Sequence, residues 1–351
     1  MSLSDAFRHQ AESCTRLGSS FMGQLCTLFS ERWTAPSALQ TRLLEFTGDI
    51  GPAGASLPLR LAGGLHALVL SGKVPDLAAL YPPARVPDSA LWDAVEKVLQ
   101  AEEKFLLAWV ESPPQTNEVR RAAALMAGAA VAAEAIDLPL TLSELGASGG
   151  LNLQWDKFRL SLPEGAALGP ATSDISLTPD WNGPLPPLRL PTVSSRAGVD
   201  LNPLDPINPA DRLRLLSYLW PDQPERLVRT REAAALQTCP VEAGDAIDWL
   251  EKRLSAAPEG LLHLVQHTVA WQYFPKEAQA RGQALMENAG RAATRSRALA
   301  WLSMESDGDT SGKIGALLTL RMWPGDIEIA LGRVDFHGRW IHWSGTEMDK
   351  L

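Results

Sequence analysis

The sequence predicts an α/β chain: a Rossmann-like open sheet with C-terminal antiparallel strands, preceded by an all-helical N-terminal domain. Three observations predict it. Residues 1–137 carry apolar side chains at three- and four-residue spacing, the period of helices. From residue 138 short apolar runs alternate with amphipathic ones, the pattern of strands and helices in turn. At the junction stands Pro139 to Leu153, PLTLSELGASGGLNL, where Leu138, Leu140 and Leu142 alternate and lead through Glu144 into Gly146, Gly149 and Gly150. That stretch reads as a strand, a tight turn and a helix N-terminus whose free backbone N–H groups can receive a ligand.

In chain order, helices are expected around residues 7–29, 37–46, 57–71, 77–80 and 89–110. Pro36, Gly51-Pro52, Pro82-Pro83 and Pro113-Pro114 punctuate them. His66, on an apolar stripe, reads as a packed core histidine. Asn117 is placed to cap the next helix, whose interior AAALMAGAAVAAEA suits close packing. After the glycine turn, residues 155–195 are rich in proline, glycine and serine and read as a long ordered excursion or lid inserted into the second domain, 138–351. Val199 to Leu201 suit a short strand with Asp200 at its carboxyl end, and helices follow over PADRLRLLSYL and ERLVRTREAAALQ. VEAGDAIDWLEKRL reads as a short extended piece, a Gly-Asp turn and a helix. GLLHLVQHTV is a buried strand running into AWQYFP, KEAQARGQALMENAGRAA a helix, and ALAWLSMES a strand with a turn in SDGDTSG. GALLTLRMWP and EIALGRVDFHGRWIHW complete the sheet as antiparallel strands.

Composition narrows the function. A net charge of -9 and a pI near 5.3, without a basic stripe, disfavour nucleic acid and anionic membranes as partners. Cys14, Cys26 and Cys239 form no CxxC pair, which fits a reducing cytoplasm and argues against a cysteine-based zinc site. Residues 1–20 carry Asp5, Arg8, His9, Glu12 and Arg16 with no apolar core, so a signal peptide is not expected. No apolar stretch is long enough to span a bilayer, and a cytoplasmic protein is expected.

Ligands of open α/β sheets sit at the carboxyl edge, between successive strand–helix turns. Four turns here carry suitable groups: Glu144-Leu145-Gly146 through Ala147 and Ser148 to Gly150; Asp200; Gly244-Asp245-Ala246; and His267-Thr268-Val269-Ala270-Trp271-Gln272-Tyr273. Their order resembles that of class I S-adenosylmethionine-dependent methyltransferases. The resemblance implies S-adenosylmethionine as cofactor, with Glu144 on its amine, the glycine turn under it, Asp200 on the ribose hydroxyls, and Asp245 with the Ala246 N–H on the adenine edge. It further implies His267 as proton acceptor, Tyr273 or Trp271 facing the sulfonium, and Thr268 and Trp271 near a small-molecule or protein acceptor. The helical domain and the 155–195 insertion would shape the acceptor pocket. The stretches ELGASGGLNL, DLNPLDP, HTVAWQYFP and HGRWIHW also resemble the bacterial family of unknown function DUF2332, over about residues 5 to 345. That likeness implies a Rossmann-like fold with a helical N-terminal part. The long interval from Gly150 to Asp200 departs from the usual methyltransferase spacing.

Competing readings exist for each group. The glycines also suit close packing, Asp200 and Asp205 suit Asx-turns, and Asp245 suits an N-cap. Gly146-Ala147-Ser148-Gly149-Gly150 satisfies G-x-S-x-G, so a serine hydrolase would use Ser148 with His337 or His342 as base and Asp245 or Asp307 to orient it. His263 and His267 lie four apart on a strand, about 13 Å, too far for one shared metal ion. A Rossmann-like binding protein without catalysis completes the alternatives.

Overall fold

The computed structural model describes residues 1–34, 36–51, 54–308 and 314–345. Pro52 and residues 309–312 of the turn expected after ALAWLSMES lie outside the described residues. The chain forms two compact units, Met1–Thr116 with Asn208–Arg231, and Asn117–Ile207 with Glu232–Leu351.

The first helices are α1 (Leu3–Arg16), α2 (Ser20–Arg32), α3 (Ala38–Leu44), α4 (Leu57–Leu70), α5 (Pro75–Ala78), α6 (Asp88–Ala101) and α7 (Glu103–Trp109). Then α8 (Ala122–Ala135) leads into β1 (Leu140–Leu145). Four short strands follow, β2 (Arg159–Ser161), β3 (Ala167–Leu168), β4 (Ser176–Leu177) and β5 (Asp180–Asn182), and then β6 (Val193–Asp200). Next come α9 (Pro209–Ser217) and α10 (Pro224–Ala235), followed by β7 (Glu242–Ala243), α11 (Ala246–Ser255), β8 (Leu261–Thr268), α12 (Lys276–Arg291) and β9 (Arg297–Glu305). The last strands are β10 (Ala316–Trp323), β11 (Ile327–Val334) and β12 (Trp340–Trp343).

The first unit is helical, as its apolar period requires. Ser2 caps α1 by accepting from the Asp5 N–H, and Ser19 caps α2 by accepting from the Met22 N–H. Gly23 brings α2 against α1, since a Cβ there would strike Thr15. Phe7, Leu25, Phe29, Leu61, Leu65 and Trp92 share one core. His66 is the expected core histidine: its Nδ1–H donates to the Ser217 carbonyl at 3.1 Å, and burial pushes its pKa down to about 4.

The unit boundary differs from the expected break at 137. Helix α8 is buried on every side and packs on β9 and β10, so it is a layer of the sheet unit. Helix α9, expected within the second domain, belongs to the first unit.

The sheet unit is built on nine strands in the order β5-β12-β11-β10-β9-β8-β1-β6-β7. Strands β7, β6, β1, β8 and β9 are parallel, and β9 to β12 run antiparallel in succession. The central parallel strands β1 and β8 are buried along nearly their whole length because helices cover both faces. One face buries Leu142, Leu264, Ala300 and Leu302 with α8. The other buries Leu145, Val199, Val265 and Leu299 with Trp249 and Leu250 of α11 and Met286 of α12. The 155–195 excursion is ordered. Its β2, β3 and β4 form a small sheet, Leu160, Leu168, Ile175 and Leu177 join the main core, and β5 pairs with β12 at the far edge. From β1 the chain builds outward to β6 and β7, then returns across β1 to β8 and β9. This reversal between β1 and β8 is a topological switch point, where side chains and loops diverge and leave a crevice.

Candidate functional site

The switch point gathers the tips of β1, β6, β7 and β8, and with them most of the groups singled out in the sequence. Glu144 lies at the end of β1, opposite Gln266 of β8 and Gly198 of β6 in register. Asp200 ends β6, and Asp245 follows β7. The expected order of acids along the sheet edge is therefore present.

Glu144 is 2% exposed, and its Oε2 makes no hydrogen bond among the described residues. Burial pushes its pKa up to about 8. The facing Gln266 amide opposes the rise, the Asp200 carboxylate adds to it, and Arg121 opposes it. Gln266 is wholly buried and is held by Trp155, whose indole N–H donates to Gln266 Oε1 at 3.0 Å. Thr268 is buried, and its carbonyl accepts from Arg121 at 3.2 Å.

The glycine turn departs from expectation in three ways. Most of its N–H groups are already engaged: Gly146 and Ala147 donate to the Val199 carbonyl at 2.9 and 3.0 Å. Ser148 donates to Asp200 Oδ2 at 2.9 Å, Gly150 to the Ala147 carbonyl, and Leu151 to Asn117 Oδ1. The element after the turn is a 3-10 turn, Leu151–Lys157, and not the expected α-helix N-terminus. Finally, Gly146 (φ +69°) and Gly150 (φ +68°) occupy the left-handed region, and a Cβ on either would strike the Ala270 methyl or the Gln237 amide. The chain's own backbone and side chains thus account for both glycines, and a ligand seated on a row of free N–H groups is corrected by this geometry.

Asp200 holds the turn from the neighbouring strand, its two oxygens accepting from Ser148 and Asn202. Asp245 caps α11, accepting from Ile247 and Asp248 at 2.9 and 3.0 Å. Its carboxyl is nonetheless exposed, and Ala246 begins the helix behind it.

His267 is not available as a proton acceptor. Trp301 Nε1–H, which can only donate, meets His267 Nε2 at 2.9 Å. Nδ1–H must then donate to Glu305 Oε1, at 2.7 Å. The ring is 1% exposed and stacks on Trp271 at 5.1 Å. Glu305, at the tip of β9, also accepts from the N–H groups of Ala270, Trp271 and Gln272. Burial alone would raise its pKa, but the bonds from His267 and the two nearer N–H groups outweigh it and hold the carboxyl below its ordinary range. Glu305 therefore organises the loop after β8, including Val269, a β-branched residue at φ +52°. Trp271 packs against Gly282 within this cluster, whereas Tyr273 is 62% exposed on the surface.

Sequence reasoning missed Glu305, Gln266 and Trp301. Glu305 closes the alternating run ALAWLSME, the position from which a side chain reaches a sheet edge, and that was the available signal.

The hydrolase arrangement does not assemble with His342 as its base. Ser148 sits at φ +53°, yet its Oγ is buried with no hydrogen-bond partner among the described residues. His342 lies on β12, five strands from β1 and so roughly 24 Å away. Asp307 pairs with Arg333. His263, on its strand as expected, pairs with Ser143 Oγ at 2.9 Å.

Among the described residues no helix is long and apolar enough to cross a membrane. No curated protein is significantly similar to the chain. A family model described as an uncharacterized protein conserved in bacteria, DUF2332, matches residues 4–343. With nearly its whole length covered, and with the helical region and Rossmann-like sheet that its motifs implied, the chain belongs to the DUF2332 family.

Proposed function

We propose that the sheet unit binds S-adenosylmethionine at the carboxyl edge of β7, β6 and β1 and passes its methyl group to a small molecule or a protein. One observation carries the reading: three acids, Glu144, Asp200 and Asp245, stand at the tips of successive strands beside the reversal in strand order. Such a reversal is where open α/β sheets receive nucleotide-like ligands. The buried Oε2 of Glu144, which has no hydrogen-bond partner among the described residues, suits an ammonium group. Asp200, a carboxylate at the tip of β6, suits ribose hydroxyls by its chemistry, and exposed Asp245 suits an adenine amine. S-adenosylmethionine supplies an already activated methyl group. The protein's part is to hold and align, which requires no resident base on His267. The loop fixed by Glu305 supplies the adjoining wall through Ala270 and Trp271.

Thermal unfolding with S-adenosylmethionine or S-adenosylhomocysteine tests this. Ligand at about 100 times its Kd adds about 2.7 kcal/mol of stability. Asp245→Ser, which preserves the cap, removes most of that gain. No stabilisation by either ligand rejects the proposal.

The filled glycine turn favours a second reading, a binding protein that keeps the sheet without catalysing methyl transfer. Binding of the ligand without transfer from a methyl-labelled donor to any component of a bacterial extract selects that reading.

A further inference from the structure

We infer that Arg253, with Thr141 and Ser195 beside it, forms a binding site for a phosphate group on the α11 face of the sheet, away from the strand tips and separate from the adenosyl site proposed above. Thr141 of β1, Ser195 of β6 and His263 of β8 stand in the amino-terminal half of three adjacent strands, with Ser143 further along β1. Alternation puts all four on the face that Val199 and Val265 bury under α11. Arg253, in the last turn of α11, reaches across this row: Nε donates to Ser143 Oγ at 3.1 Å and Nη2 to Thr141 Oγ1 at 3.5 Å. Its guanidinium also lies over the Trp249 ring, 5.4 Å from the centroid. A guanidinium carries five N–H bonds. Two are used here, so both on Nη1 and one on Nη2 have no acceptor among the described residues. Glu242 of β7 attracts the group without a hydrogen bond to it. Arg196 and Arg321 of the same unit, by contrast, are each matched to an acid. A half-buried cation held on a rigid base, with its outer fork open and no acid bonded to it, suits a bidentate anion.

The hydroxyls extend the donor set. Thr141 accepts from Arg253, and its other partner is Ser195 Oγ at 2.7 Å, so the Thr141 proton goes to Ser195 and the Ser195 O–H is left to donate. Ser195 is exposed, and β7 pairs with β6 through Val199 and Asp200 alone, so among the described residues no strand covers this part of β6. Ser143 likewise accepts from Arg253 and passes its proton to His263 Nε2 at 2.9 Å, which leaves the Nδ1–H of that buried ring without an acceptor among the described residues. The row therefore presents donors in more than one plane. A planar carboxylate can use the fork alone, whereas a tetrahedral phosphate can take the fork and the Ser195 hydroxyl together.

Calorimetric titration of the full chain at pH 7.5 and constant ionic strength, with inorganic phosphate, methyl phosphate and acetate, tests the inference. One saturable site per chain is expected for the phosphates, with acetate weaker by about fivefold, the worth of one hydroxyl hydrogen bond. Arg253→Lys keeps the charge but loses the fork, and should weaken phosphate binding about tenfold or more. Ser195→Ala, at an exposed position, should weaken phosphate about fivefold and leave acetate unchanged. Preference for methyl phosphate identifies a phosphate ester as the source of the group, and preference for inorganic phosphate the free ion; either supports the site. Absence of phosphate binding up to millimolar ligand, binding unchanged in Arg253→Lys and Ser195→Ala, or acetate held as tightly as phosphate overturns the inference. All of these outcomes are independent of adenosyl binding.

Discussion

Two acids flank β8 at the same edge of the sheet, and they are opposites in satisfaction. Glu305 on β9 accepts from His267 and three backbone N–H groups, and His267 is in turn closed off by Trp301. Glu144 on β1 is the more deeply buried of the two, and one of its oxygens has no hydrogen-bond partner among the described residues. Their partners on β8 are consecutive residues, Gln266 and His267, which alternation sends to opposite faces. A saturated polar cluster makes a rigid wall, whereas an unsaturated one carries an energetic cost that a ligand can relieve. The difference fits scaffolding on one face and, under the proposed function, reception of the ligand on the other.

The comparison breaks first at Glu305. Glu305→Ala leaves His267 and three N–H groups without their acceptor and should destabilise by about 3–5 kcal/mol in urea unfolding. A loss below about 1 kcal/mol would mean that the cluster is not the rigid wall. Gly146→Ala, which forces a methyl toward Ala270 at positive φ, should cost about 2–3 kcal/mol. Adding Ala270→Gly should recover part of that through a coupling of about 1 kcal/mol, measured as a double-mutant cycle.

The pH dependence sharpens the contrast. Glu144 has a folded pKa raised above its unfolded value, so the folded chain holds more protons between about 4.5 and 8. Its contribution to stability therefore falls by about 1.4 kcal/mol per pH unit across that window. The buried imidazoles of His66 and His263, pushed down to about 4, act in the opposite sense: their contribution is present above about 6.5 and is lost as pH falls toward 4. Subtracting the stability profile of Glu144→Gln from that of the wild type cancels the histidines, and the difference should slope downward with rising pH. A flat difference would place Glu144 among the satisfied groups. The smallest effect is at the third strand tip. Asp245→Ala should cost about 1 kcal/mol through the lost cap of α11, and Asp245→Ser only a few tenths, while both weaken ligand binding.

Much of the fold was legible because hydrophobic period is local. The strand over 261–268, the helix after Asp245 and the antiparallel close all follow from runs of ten or so residues. Helix α8 was assigned to the wrong unit for a physical reason: AAALMAGAAVAAEA is apolar all round, and such a pattern states that the helix is buried without stating in which core. At the site, residue types at strand tips were readable, so Glu144, Asp200 and Asp245 were placed correctly along the edge. Their occupancy was not. Val199 lies 53 residues from Gly146, Ala270 closes on the same glycine from the loop after β8, and Trp301 reaches His267 from β9. These partners are set by strand pairing, which no local pattern encodes. For the same reason GASGG supports a cradle, an elbow or a packed turn equally well until its neighbours are known.

The most direct measurement is equilibrium dialysis of the wild-type chain against labelled S-adenosylmethionine at pH 7.5. The account predicts saturable binding at one site per chain, competed by S-adenosylhomocysteine and weakened at least tenfold in Asp245→Ser. Retention no greater than for an unrelated protein up to millimolar ligand would contradict it.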